Sequence, residues 1–127
     1  MNINSTTNVF EHLNKTAQVI YDKKGMNILC LDLRNISTIT DYAIIAEGAV
    51  NRHVVALAQA IMGELAKHGL KPIRAEGMQT GDWVVLDFVE FMVHLFMPGI
   101  RDRYQLEELW RKGKIIDLKI LLANSEN

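Results

Sequence analysis

The side chains able to do covalent or metal chemistry in this chain are few and scattered. The four histidines, His12, His53, His68 and His94, lack the HxH and HxxxH spacings that turn two imidazoles toward one metal. Cys30 is the single cysteine, has no CxxC partner and lies in the apolar run NILCLDL. That reads as a small buried hydrophobe in a reducing compartment. Asp32 and Asp41 fall outside the DxD spacing that puts two carboxylates on one strand face. Turn and cap roles are expected of both, with a divalent-metal pair as the alternative. A Walker-type phosphate loop, a GxGxxG after a strand and a GxSxG elbow are all missing from the sequence. The reading is no catalytic residue, no metal and no cofactor. What remains is the chemistry of contact. Glu76, Asp82, Trp83, Asp87, Glu90 and His94 fall within the 26 residues from Ala75 to Ile100, which hold no Lys or Arg. An acidic, aromatic, β-forming stretch suits a basic protein partner better than a nucleic-acid backbone.

These residues must be carried by strands. Trp83–Phe88 and Phe91–Met97 read as two strands joined too closely for anything but an antiparallel hairpin. With Val89 and Glu90 as the turn, Phe88 stands opposite Phe91. Alternation then puts Val84, Leu86, Phe88, Phe91, Val93 and Leu95 on one purely apolar face. The other face carries Trp83, Val85, Asp87, Met92, His94 and Phe96. Two readings of that face stay open. It packs under a helix with Asp87 and His94 paired, or part of it is exposed as a partner-binding patch anchored by Trp83. The candidate partner-binding residues are Trp83, Asp87, Val85, Glu76, Asp82 and Met92.

Upstream, Phe10, Leu13, Ala17 and Ile20 predict a helix from about Asn8 to Lys23. Asn8 and Glu11 would form a capping box, and Gly25 the left-handed stop. Asn27–Asp32 and Tyr42–Ala46 read as strands joined by a Ser/Thr-rich connection. A second helix from Asn51 to His68 places Val54, Leu57, Ala58, Ile61 and Leu65 on one stripe, with Asn51 as cap and Gly69 as stop. His53 reads as a solvated first-turn residue. Lys71–Arg74 reads as a short strand, and Leu106–Arg111 as a short helical piece. The fold class is α/β in the α+β sense: a single mixed sheet of about five strands with helices packed on it.

At 127 residues and 14.4 kDa the chain reads as one domain, with a core over about 8–111 and a tail over 112–127 that patterning does not place. Fourteen basic against fifteen acidic residues give a net charge of −1, so no overall field draws it to polyanions. The clusters Arg101/Arg103/Tyr104 and Arg111/Lys112/Lys114 are offset by Asp102, Glu107 and Glu108, and no direct sequence-specific nucleic-acid binding is expected. No apolar run approaches a membrane span, and the N-terminus lacks secretory and presequence features, so a cytoplasmic location is expected.

With these residues laid out, the chain resembles the ribosomal silencing factor family, RsfS, also called Iojap-related. The matching landmarks are Asp32, the ITDYAIIAEG stretch from Ile39 to Gly48, Asn51-Arg52-His53-Val54 and Ala58. Glu76-Gly77, Asp82-Trp83-Val84-Val85-Leu86-Asp87, Val93-His94, Arg103-Tyr104, Leu106-Glu107 and Leu109-Trp110 follow in order. The resemblance implies a nucleotidyltransferase-like topology without the catalytic carboxylates, and a homodimer. It also implies binding to ribosomal protein L fourteen of the large subunit, which blocks joining of the small subunit and represses translation when nutrients run short. Organellar relatives act in large-subunit assembly. Two departures stand out. Val89-Glu90 replaces a Gly-Asp type turn pair, and Val50 replaces the usual Ser before the second helix, which would move the cap to Asn51.

Overall fold

The computed structural model describes residues 5–105, 108 and 111–122. Among these, the order is α1 (Ser5–Asp22), β1 (Met26–Asp32), β2 (Tyr42–Glu47), α2 (Asn51–Ala66), β3 (Arg74–Glu76), β4 (Trp83–Asp87), β5 (Phe91–Phe96), α3 (Pro98–Tyr104) and β6 (Lys114–Ile115). The strands form one mixed sheet in the order β3-β4-β5-β2-β1-β6. Only the central β2–β5 pair is parallel, with Ile44 beside Val93 and Ile45 beside His94. Its chain crosses over through α2, as a parallel pair requires. All six residues of β2 are buried, the signature of a strand covered on both faces.

α1 and α2 cover one face. Val54, Leu57, Ala58, Ile61 and Leu65 of α2 are buried as their spacing predicts. They pack on Ile44, Val84, Leu86, Val93 and Leu95. In α1 the inward stripe is Val9, Leu13, Ala17 and Ile20, not Phe10. Phe10 points outward enough to be 41% exposed, and its ring meets the edge of Tyr42 at a centroid distance of 5.5 Å. The helix begins at Ser5, so Asn8 lies within it rather than capping it.

Several expected boundaries move for local reasons. α1 stops with Lys24, not Gly25, in the left-handed region at φ 71°, while Gly25 N–H closes the turn onto the Ile20 carbonyl at 2.7 Å. Gly25 is needed for space, because a Cβ there would strike the Ile20 side chain. The N-cap of α2 is Val50, without a side-chain cap, and Asn51 is the first helical residue. His53 reaches back instead. Its Nδ1 accepts from the Ala49 N–H at 2.8 Å and its Nε2 meets the Lys23 carbonyl at 2.7 Å. A backbone N–H can only donate, so the proton sits on Nε2 and the neutral ring ties the two helix ends together. That replaces the solvated reading. β3 starts at Arg74, after Pro72, which has no N–H to give the ladder. The expected piece at 106–111 falls on residues outside the described set, 108 and 111 excepted. The sheet gains a sixth strand, β6, beyond the five expected, and the sequence reading missed α3.

Candidate partner-binding face

The hairpin register is as expected. Trp83 pairs with Phe96, Val85 with His94 and Asp87 with Met92. Phe88 and Phe91 stack at 4.9 Å on the opposite, helix-covered face. Across the other side of β4, Glu76 pairs with Val85 and Arg74 with Asp87. Directly paired residues share a face. Glu76, Val85, Asp87, Met92 and Trp83 therefore converge on one end of the second sheet face. Asp82, one residue before β4, lies exposed at its rim.

This face is closed at one end and open at the other. Toward the sheet centre it is buried: Leu31, Leu33, Ala43, Ile45 and Phe96 form a second core, with Ile100 of α3 against it. Toward the β3 edge, Trp83, Val85 and Met92 are half-exposed, and Glu76 is exposed. Trp83 is the hinge between the two regions. Its indole stacks on Phe96 at 5.0 Å and 30°, and its Nε1–H donates to His94 Nδ1 at 3.2 Å.

The expected Asp87–His94 pair is not formed. Trp83 and Asp87 both stand diagonal to His94, and the imidazole turns to the indole. The carboxylate is taken by groups it meets more directly. Arg74, opposite on β3, donates to it at 2.9 Å, and the Val89 N–H donates at 2.8 Å. Asp87 is only 7% exposed. Its engagement pins the edge strand and explains the unusual turn. Val89 has φ 75°, and Glu90 N–H bonds the Phe88 carbonyl at 2.9 Å, a γ-turn that a β-branched residue tolerates poorly. The Asp87 bond to Val89 holds the chain there without glycine.

Burial pushes the His94 pKa down to about 4, so the ring is neutral at pH 7. Since the indole N–H can only donate, Nδ1 is the bare nitrogen. Burial likewise pushes the Cys30 thiol up to about 12, leaving it a packed hydrophobe. Asp32 is gripped by the Arg34 fork at 2.7 Å, which holds its carboxyl below the usual range. Asp41 is exposed, and only its backbone meets Leu33. Among the described residues no three His, Cys, Asp or Glu side chains converge as a metal site.

Two features of the site were not read from the sequence. Arg74, just outside the stretch without Lys or Arg, comes onto the face and neutralises Asp87. α3 is held over the second core by a buried pair, Arg101 with Glu47 at 3.2 Å. Arg101 also donates to the Asn27 carbonyl at 2.7 Å, and the Asn27 amide donates to Glu47 at 3.1 Å. Pro98 at the first turn of α3 was the available signal, because proline favours a helix start.

The family model described as ribosomal silencing factor during starvation matches residues 6–127. The chain belongs to the ribosomal silencing factor family. It is similar to the RsfS protein of Haemophilus influenzae, 40% identical over 87 residues that cover 68% of this chain and 85% of the relative. A crystal structure of a Chromobacterium violaceum protein superposes with a TM-score of 0.77 at 30% identity, covering 92% of this chain and 97% of the other. A mouse protein named mitochondrial assembly of ribosomal large subunit protein 1 is 36% identical over 76 residues, 56% of this chain and 32% of the mouse chain. The silencing-factor fold here is thus the mixed sheet with one closed and one half-open face. No helix among the described residues is long and apolar enough to cross a membrane.

Proposed function

We propose that this silencing factor binds the large ribosomal subunit through ribosomal protein L fourteen, and that its bulk keeps the small subunit from joining. Translation is thereby repressed under nutrient limitation, in the cytoplasm, by a protein that is a homodimer when free. It acts by contact alone, without catalysis or cofactor. The observation that carries this reading is the half-open end of the second face. Trp83, Val85 and Met92 form an apolar centre beside the exposed carboxylates of Glu76 and Asp82. A ribosomal protein that lies against RNA is basic, so opposite charges speed encounter and set orientation while the aromatic supplies affinity. Asp87 contributes by fixing the strand that carries this centre. The test is sedimentation of purified subunits with the full chain. Loss of joined ribosomes, with the chain co-migrating with free large subunits, supports the proposal. Joining at the normal level with saturating protein sinks it.

The name of the mouse relative favours one second reading, a role in assembling the large subunit. That role predicts accumulation of immature large particles when the protein is depleted, with mature subunits still joining in its presence. A nucleotidyltransferase-like activity using Asp32 and Asp41 is a weaker alternative, since Arg34 occupies the Asp32 carboxylate. It predicts a melting-temperature rise with magnesium and a nucleotide.

A further inference from the structure

At the other edge of the sheet the tail forms a strap. β6 pairs with β1 at only two positions, Leu31 with Ile115 and Asp32 with Lys114. From Ile116, whose N–H donates to the Cys30 carbonyl at 2.9 Å, the chain leaves the sheet and runs along α1. Burial alternates without a break: Ile116, Leu118 and Ile120 are half-buried, while Ile115, Asp117, Lys119 and Leu121 are exposed. This is the period of an extended segment with one face down. The inward side chains, with Ile28 and Cys30, line a cavity of about 320 Å³.

The polar contacts read backbone, not side chain. Asn14 Oδ1 accepts the Lys119 N–H at 2.8 Å, and Gln18 Oε1 accepts the Leu121 N–H at 2.6 Å. Gln18 Nε2 then donates to the Leu121 carbonyl at 2.9 Å, so one amide grips both backbone groups of one residue. The spacing explains the fit. Four residues along a helix rise about 6 Å, and two residues along an extended chain rise about 6.6 Å. Side chains at i and i+4 of α1 therefore meet every second residue of a strand laid parallel to it. Among the described residues Ile116 and Leu118 add packing against the main core, while Leu121 and Leu122 stay 81% and 73% exposed. Its contacts are few against the backbone freedom lost in ordering it, the pattern of a segment that opens below global unfolding.

We propose that residues 114–122 are a reversible latch over a peptide groove between α1 and β1, and that the opened groove takes the same segment from a second copy of the chain. Because Asn14 and Gln18 recognise backbone groups and the alternate side chains Ile116 and Leu118 pack against the main core, a second copy offers an identical set of contacts. The groove is an edge-on form of peptide recognition in which main-chain bonds give affinity and alternate pockets give selectivity.

Cys30, the only cysteine in the chain, reports on the latch without background. It is 3% exposed, lies beside Ile116 at the end of the neighbouring strand and lines the same cavity as the strap, so lifting the strap is expected to open it to a thiol reagent. The experiment uses the full chain and an aromatic disulfide reagent under native conditions. Gln18→Ala, which removes two hydrogen bonds of ordinary net strength to the strap and one to Asp22 within α1, is expected to speed labelling about tenfold with little change in melting temperature. Leu118→Ser in the strap, with the groove intact, should do the same, and a synthetic peptide of residues 114–122 in excess should restore protection. Equal labelling in wild type and both variants would overturn the latch, as would rates that simply follow global unfolding. Faster labelling in Leu118→Ser that the peptide does not slow would overturn the exchange with a second copy.

Discussion

Trp83 and His94 hold one another through a bond that works in one protonation state only. The indole donates to Nδ1, and a protonated imidazole has no lone pair to receive it. The His94 pKa is lowered to about 4 from 6.5 by burial, so the unfolded chain takes up this proton first as pH falls. The stability attached to His94 is therefore full above pH 6.5 and is lost between about 6.5 and 4, a total of about 3 kcal/mol. Urea unfolding across that window should show a steeper decline in the wild type than in His94→Gln, whose amide does not titrate. Equal slopes would mean that the imidazole charges freely in the folded protein. At Val89 the expected change is a gain. Its side chain is 56% exposed and its φ of 75° suits glycine. Relief of left-handed strain, offset by the greater freedom of unfolded glycine, should make Val89→Gly more stable by about 0.5–1 kcal/mol. A lower melting point in that variant would show that the turn is not strained.

Among the elements, the hairpin and α2 were legible because each obeys a single period over its whole length. Val84, Leu86, Val93 and Leu95 alternate, and Val54 through Leu65 recur on one stripe, so the core face followed directly. The helix ends were less legible, because a left-handed Lys24, an N-cap at Val50 with no side-chain bond and the reach of His53 to the Lys23 carbonyl settle them, and none follows a local pattern. Neither α3 nor β6 has a period to read. α3 spans seven residues and is placed by Asn27, Glu47 and Arg101, which no local pattern connects. The candidate partner-binding face was legible as a grouping of side chains, but the fate of Asp87 was not, since it turns on Arg74 opposite it on β3. The buried Arg101–Glu47 pair gives a prediction at this scale. Removing one member strands the other charge, so Arg101→Ala should cost about 3–5 kcal/mol in urea unfolding. Arg101→Met combined with Glu47→Leu should recover most of that. A small loss in the single variant would mean that water reaches Glu47 and α3 is not anchored there.

The two proposed tasks lie on opposite edges of one sheet. The proposed docking centre lies on β3, β4 and β5, and the strap lies along β1 and β6. Edge to edge, five strand spacings make about 24 Å, so the strap can lift without disturbing Trp83. Light scattering at micromolar concentration should give the mass of two chains for the free protein, and the mass of one chain would reject the homodimer. The binding prediction depends on the two kinds of contact at the docking end. Trp83 combines a stack on Phe96 inside with a partly exposed outer side, so Trp83→Ala should lower the melt somewhat and weaken large-subunit binding much more. A hot spot of this type is worth about 2–4 kcal/mol, which is roughly 30- to 1,000-fold in affinity. Glu76→Lys and Asp82→Lys should leave the melt unchanged and slow association, with the deficit shrinking as salt screens the rim charges. Asp87→Lys should instead lower melt and binding together, because it releases Arg74 and the Val89 turn. Binding of purified large subunits at two ionic strengths, beside a thermal melt of each variant, separates these classes. If Trp83→Ala remains folded and binds as tightly as the wild type, the half-open face is not where the ribosome is held.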